Sequence, residues 1–322
     1  MPLLDMPMEK LLTYKGSSPC PKDIDKYWDS ALAEMKAIDP EVELLPADFQ
    51  SPYADCFDMY FTGVGGARVY AKLLRPKNPP KKKNPALVTF HGYSGNSGEW
   101  NDKLVYVAAG FTVAALDCRG QAGNSEDVGG TIGNTFKGHI IRGLDAGPEK
   151  LLFRQIYLDC AQLAGLVMEM PGVDPARVGA TGGSQGGGLT LACASLEPRI
   201  SRAATVFPFL CDYKRVWNMD LAANAYAELK EYFRWFDPTH SREDEVFRRL
   251  GYIDLQNITK RIRGKIMMIT GLMDNICPPS TQFAAYNKIT SKKDVVIYPD
   301  FGHEGLPGSG DRVFKFMMEM LK

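Results

Sequence analysis

The sequence predicts an α/β fold: a mostly parallel central sheet flanked by helices, with an N-terminal extension and an inserted helical segment. Three observations carry this. From Ala86 onward short apolar runs alternate with stretches of helical period. One of those stretches lines up six apolar residues on a single helix face. A glycine-flanked serine lies at a joint between an apolar run and a helical one. At 322 residues the chain exceeds the roughly 150 expected of one average domain, but α/β units reach this size, and 1–322 is read as one domain.

Residues 1–50 form an acidic extension containing a helix that begins near Asp23. Trp28, Leu32 and Met35 share one face of it and are expected to pack on the body. Cys56 to Thr62 and Ala67 to Leu74 follow as an antiparallel hairpin around Gly63-Val64-Gly65-Gly66. Lys77 to Asn84, with two prolines and four lysines, reads as a solvated loop tip rather than a binding patch. Buried strands are then expected at Ala86–Phe90, Phe111–Leu116, Val178–Thr181, Ala203–Val206, Ile266–Thr270 and Val295–Tyr298, the continuous apolar runs of a sheet covered on both faces. Leu152, Ile156, Cys160, Leu163, Val167 and Met170 advance by threes and fours and define a long covering helix. Right-handed crossovers then place ligands at the carboxyl ends of the strands. Residues 211–262 break the alternation. Their aromatics, among them Tyr213, Trp217, Tyr226, Tyr232, Phe233, Trp235 and Phe236, mark an inserted lid or interface element, with core and subunit packing the commoner use and a pocket wall the other.

Composition narrows the function. The 38 Lys and Arg balance the 38 Asp and Glu, so no long-range field gathers nucleic acid or an anionic membrane. The apolar stretch from Val105 to Leu116 is too short to span a bilayer. Asp5, Glu9 and Lys10 interrupt any secretory h-region, so a cytoplasmic location is expected. Seven scattered cysteines without a C-x-x-C pair suggest buried reduced thiols, neither a disulfide framework nor a zinc site.

Chemistry is expected where Val178–Thr181 runs into Gly182-Gly183-Ser184-Gln185-Gly186 and then a helix, the G-x-S-x-G pattern in its strand-to-helix setting. Ser184 on such a sharp turn would project its hydroxyl over the sheet edge, with Gly182 and Gly186 letting the arms approach; a plain turn serine is the competing reading. A serine hydroxyl needs a base, and histidine's ordinary pKa near 6.5 suits the task. Of four histidines, His91, His139 and His240 each have a structural or pocket-wall explanation. His303 follows the last strand in Gly302-His303-Glu304-Gly305, where an α/β-hydrolase carries its base. The orienting acid belongs after the preceding strand, and Asp274 fills that slot ahead of Asp300 and Glu304, which are assigned to loop support. Two N–H donors must also face a developing oxyanion. One is that of Gln185, after the nucleophile; for the other Tyr93, in the loop after Phe90, is the best candidate, with its side chain available to wall the acyl pocket.

Arg119-Gly120-Gln121, Gly182 to Gly186 and His303-Glu304 resemble the three signature motifs of carbohydrate esterase family seven, the acetyl xylan esterase and cephalosporin C deacetylase group of the α/β-hydrolase superfamily. The resemblance extends to Met1–Pro7, Gly138–Leu144 and Phe207–Asp212; Ala122 departs from it locally. It implies Ser184, Asp274 and His303 as catalytic residues, Tyr93 and Gln185 N–H as the oxyanion hole, and Arg119, Gly120 and Gln121 as a brace. The implied enzyme is a serine esterase that removes acetyl groups from short xylo-oligosaccharides and from small molecules such as cephalosporin C. It uses no metal or organic cofactor, and works as a cytoplasmic hexamer whose internal cavity favours small substrates. A peptidase of the same fold and an inactive ligand-binding hydrolase-fold module are the alternatives, the latter normally lacking a triad member.

Overall fold

In the computed structural model, which describes residues 4–322, nine strands among those residues form one sheet in the order β1-β2-β3-β5-β4-β6-β7-β8-β9. The first three, β1 (Glu43–Pro46), β2 (Ala54–Thr62) and β3 (Arg68–Pro76), run antiparallel, and β3 meets β5 antiparallel. From β5 (Thr112–Leu116) through β4 (Asn84–Phe90), β6 (Val173–Gly183), β7 (Arg202–Val206), β8 (Lys265–Gly271) and β9 (Lys293–Tyr298) every pairing is parallel. Alternation along the strands sorts the core into two layers: Ala86, Val88 and Phe90 of β4 face one, Leu87 the other.

The helices are α1 (Met8–Leu11), α2 (Ile24–Lys36), α3 (Leu104–Ala108), α4 (Leu152–Glu169), α5 (Gln185–Leu196), α6 (Tyr213–Asn218), α7 (Ala227–Phe236), α8 (Glu243–Leu250), α9 (Pro279–Lys288) and α10 (Ser309–Met318). α4 and α5 cover one face of the sheet, with α2 outside them, and α3 and α10 cover the other. Of the expected six-residue stripe, Leu152, Ile156, Cys160, Leu163 and Val167 are buried as its spacing requires, while Met170 falls just past the end of α4 and is half-buried. Trp28 fastens α2 to the body: it is fully buried, lies 5.9 Å from the Tyr157 ring and donates its indole N–H to Tyr252 O at 3.0 Å. Six of the seven cysteines are buried in these layers, Cys20 alone being exposed.

Three expectations shift. Val295–Tyr298, expected as a buried strand, belongs to β9 at the edge of the sheet, where its side chains are only half-buried. The extension holds a strand as well as helices: Glu43-Leu44-Leu45-Pro46 is exposed throughout, so it carries no burial pattern, and only its ladder to β2 makes it a strand. The lysine-rich loop ends one residue early, because Asn84 is buried, begins β4 and pins the loop through Lys81. Residues 211–262 supply α6, α7 and α8, and their aromatics Tyr213, Tyr226, Tyr232 and Phe233 are buried while Trp235 and Phe236 are exposed. No helix among the described residues is long and apolar enough to cross a membrane. Met1, Pro2 and Leu3 of the resembling opening lie outside the described residues.

Candidate active site

β6 ends at Gly183 and α5 starts at Gln185, leaving Ser184 alone at the turn with φ 56° and ψ −120°. A β-carbon on Gly182 would come within 2.5 Å of the Gly186 backbone, and one on Gly186 within 2.1 Å of Phe90 O, so only glycine lets the strand, the helix and the end of β4 converge. The strained turn is held from both sides: Ser184 N–H donates to Val206 O at 3.0 Å, and its carbonyl accepts from Phe209 N–H at 3.0 Å and Gly188 N–H at 3.0 Å.

The loops after β8 and β9 bring two further groups to this point. His303 Nε2 lies 2.9 Å from Ser184 Oγ, and Nδ1 lies 2.8 Å from Asp274 Oδ2. Asp274 is fully buried, and its other oxygen accepts Ile276 N–H at 2.9 Å and Cys277 N–H at 2.8 Å, which orients the carboxylate. This geometry suits an imidazole carrying its proton on Nδ1, leaving Nε2 to take one from the serine. The Phe207 ring packs 4.3 Å from the imidazole, and Phe207 itself has φ 33°. Asp274, Cys277 and His303 cluster closely enough to ligate an ion, but Asp274 and His303 are already spent on each other, on the serine and on backbone N–H groups.

The loop after β4 runs beside the elbow. Tyr93 N–H and Gln185 N–H have no hydrogen-bond acceptor among the described residues. Gln121, fully buried, couples the two places: its Oε1 accepts Ser94 N–H at 2.9 Å, and its amide pairs with that of Gln185 at 3.0 and 3.1 Å. Arg119 points elsewhere. Its guanidinium grips Asp159 of α4 through two bonds at 2.5 and 2.7 Å and donates to Val64 O in the hairpin turn at 2.7 Å. Gly120, at φ 63°, turns the chain between them.

The remaining histidines are engaged away from the serine. His91 Nε2 accepts Cys118 N–H at 3.0 Å and Nδ1 meets Gly92 O at 2.7 Å, while burial pushes its pKa down. Burial also pushes His139 down to about 4. His240 packs against both the Trp217 and Phe233 rings, which also touch each other. Asp300 is exposed, and Glu304 folds onto Gly302 N–H at 2.9 Å. Sequence reasoning passed over Phe207 and Glu228 as individual residues. The signal for Glu228 was available: an acid beside Leu229 and four residues before Tyr232, on the buried face of an amphipathic helix.

The family model for acetyl xylan esterase (AXE1) matches residues 1–320. The chain belongs to that family of carboxylic ester hydrolases. Solved relatives agree along their whole length: acetyl xylan esterase 1 from Thermoanaerobacterium sp. JW/SL YS485 is 60% identical with a TM-score of 0.96, covering 99% of this chain and 100% of that one. The acetyl xylan esterase from Paenibacillus sp. R4 is 36% identical with a TM-score of 0.91 over 98% and 99%. The α/β hydrolase GrgF from Penicillium sp. sh18, at 18% identity and a TM-score of 0.55 over 82% and 98%, shares the fold. Among curated proteins, acetyl esterase Axe7A of Xylanibacter ruminicola is 26% identical over 87% of this chain, which spans 62% of that protein's length. Dipeptidyl-peptidase 5 of Schizosaccharomyces pombe is 27% identical over 42% of this chain and 20% of its own.

Proposed function

We propose that this protein is a serine esterase that removes acetyl groups from short xylo-oligosaccharides and similar small molecules such as cephalosporin C. The observation that carries the reading is the unbroken relay from Asp274 through His303 to Ser184 Oγ, with links of 2.8 and 2.9 Å. Ser184 Oγ attacks the acetyl carbonyl as its proton passes to His303 Nε2, and Tyr93 and Gln185 N–H receive the oxyanion. His303 then returns the proton to the departing alcohol, and water, activated by the same imidazole, releases acetate from the acyl-serine. Arg119, Gly120 and Gln121 brace the site from behind, and Gly182, Gly186 and Glu304 shape its loops.

The acetyl and sugar preference rests on family membership and on the acetyl ester named for the curated relative. The strands whose ends carry Tyr93, Ser184, Asp274 and His303 all belong to one sheet, which supports reading 1–322 as one α/β-hydrolase domain. The reading extends to a homo-oligomer, a hexamer by the family resemblance, and to a cytoplasmic location. Exposed Ile132, Phe136, Trp235 and Phe236 offer apolar surface for such contacts. What favours a peptidase reading is the likeness to dipeptidyl-peptidase 5 over 42% of this chain and 20% of that protein.

The test is turnover of acetyl, butyryl and octanoyl aryl esters, with acetylated xylobiose alongside, by the parent and by Ser184→Ala. Acetyl release is expected to dominate, to extend to the sugar and to fall about 10⁴-fold or more without the serine. Preference for octanoyl esters, or full activity in Ser184→Ala, defeats the reading.

A further inference from the structure

The inserted segment is hydrogen-bonded to the oxyanion loop through Glu228. Glu228 lies in the first turn of α7, 4% exposed, on the face that also buries Leu229, Tyr232 and Phe233. A buried carboxylate is costly unless its oxygens are occupied, and here both are. Oε2 accepts Ile140 N–H at 2.7 Å and Ile141 N–H at 3.1 Å, and Oε1 accepts the Tyr93 hydroxyl. Burial pushes the Glu228 carboxyl up, against the pull of that hydroxyl and of the N–H groups of Ile141, Ile140 and Gly138.

Tyr93 is therefore held at its far end as well as by its ring. The ring meets His139 at 4.9 Å and stands edge-to-face with Phe209 at 5.7 Å, and Phe209 N–H in turn donates to Ser184 O at 3.0 Å. The backbone beside it is fastened too, because Ser94 N–H donates to Gln121 at 2.9 Å. Between these two anchors sits Tyr93 N–H, unspent on any described group. A donor in an irregular loop stabilises a developing oxyanion only if it is already aimed, since reorganising it during the reaction costs what the bond returns.

We propose that Glu228 is a positioning residue: by tethering the Tyr93 hydroxyl to α7 and to the backbone at Ile140 and Ile141, it fixes the direction of the Tyr93 N–H in the oxyanion hole. The inference rests on the serine-esterase reading above. It makes the segment 211–262 a working part of the site rather than a cover. It also gives the stretch Gly138–Leu144 a role in that site, as the second surface on which the carboxylate is seated. A carboxyl suits the task because its two oxygens accept all three donors at once.

The experiment compares Tyr93→Phe, Glu228→Gln, Glu228→Ala and the Tyr93→Phe/Glu228→Ala pair on an acetyl aryl ester, with Ser184→Ala as reference. Tyr93→Phe keeps the N–H and the ring and deletes the tether. It is expected to lower kcat about tenfold, a fraction of what losing an oxyanion donor outright costs, with KM changed less than twofold. Glu228→Ala falls at least as far, and the pair no further, because both cut the same link. Glu228→Gln, still able to accept from Ile140 and Ile141, lies between them and the parent. Trifluoroacetone, whose adduct with the serine places an oxyanion in the hole, loses affinity in the same proportion as kcat. Should Glu228→Ala fail to fold, Tyr93→Phe and Glu228→Gln decide the matter. An unchanged kcat in Tyr93→Phe, losses confined to KM, or factors that multiply in the pair overturn the proposal. Turnover retained by Ser184→Ala overturns the esterase reading itself.

Discussion

At the scale of single residues, the site depends on a serine held where a non-glycine backbone is strained, at a cost of about 1–3 kcal/mol. Bonds to Val206, Gly188 and Phe209 hold it there. The orientation of His303 depends in turn on Asp274, whose second oxygen is occupied by two backbone N–H groups. An asparagine at 274 would present an amide N–H or a neutral oxygen to Nδ1 and weaken the tautomer that leaves Nε2 free. Asp274→Asn is expected to lower kcat about 10⁴-fold with KM nearly unchanged, by analogy with the same change in a serine protease triad. Steady-state kinetics on an acetyl aryl ester checks it; a loss confined to KM would assign Asp274 to substrate binding instead. Ser184, Asp274 and His303 were legible because each follows an apolar strand run in a fixed chain order. Phe207 was not, since its contact with His303 joins two loops that the sequence does not relate.

Between elements, the Arg119–Asp159 pair joins the end of β5 to α4 and to the hairpin turn, with both side chains about 1% exposed. Burial pushes the Asp159 carboxyl up and the guanidinium pulls it back. Removing one partner leaves a buried charge without compensation, so Arg119→Ala is expected to cost about 3–5 kcal/mol, read as a fall in the denaturant midpoint. Arg119→Met with Asp159→Leu should recover part of that loss, because no isolated charge remains. Losses that simply add would show that the two side chains act independently. The covering helix was legible from its stripe, but Asp159 lies within that helix and its partner is set by where β5 ends. β1 was illegible for the opposite reason: an exposed edge strand offers no alternation to read.

Across the whole molecule, the N-terminal segment and the inserted segment are clamped by two buried aspartates. Asp212 accepts from Tyr14, Ser17 and Ser18, and Asp254 accepts the N–H groups of Asp212 and Tyr213. Burial, and Asp212 opposite, push Asp254 up to about 6 from an ordinary 3.8. A carboxyl whose folded pKa is raised binds protons more tightly when folded, so its contribution to stability falls as pH rises from about 4 to about 6. Asp254→Asn cannot titrate and is expected to lose this slope. Relative to the parent it should be more stable at pH 7 than at pH 4, whatever its absolute stability, as followed by urea unfolding at both values. A parallel shift at both pH values would show that Asp254 does not titrate in this window.

What the sequence by itself determined was what depends on local pattern. Strand and helix periods specified the parallel core, a glycine-flanked serine specified the elbow, and chain order specified which acid and which histidine should meet it. Three motifs carried the family resemblance. The tertiary structure alone decided the links between residues far apart in the chain: Gln121 with Ser94 and Gln185, Arg119 with Asp159, and Glu228 with Tyr93. Each of these is a buried polar group whose partner is chosen by packing. Periodicity records which side chains leave water, while the identity of a hydrogen-bond partner is settled only when the layers close around it.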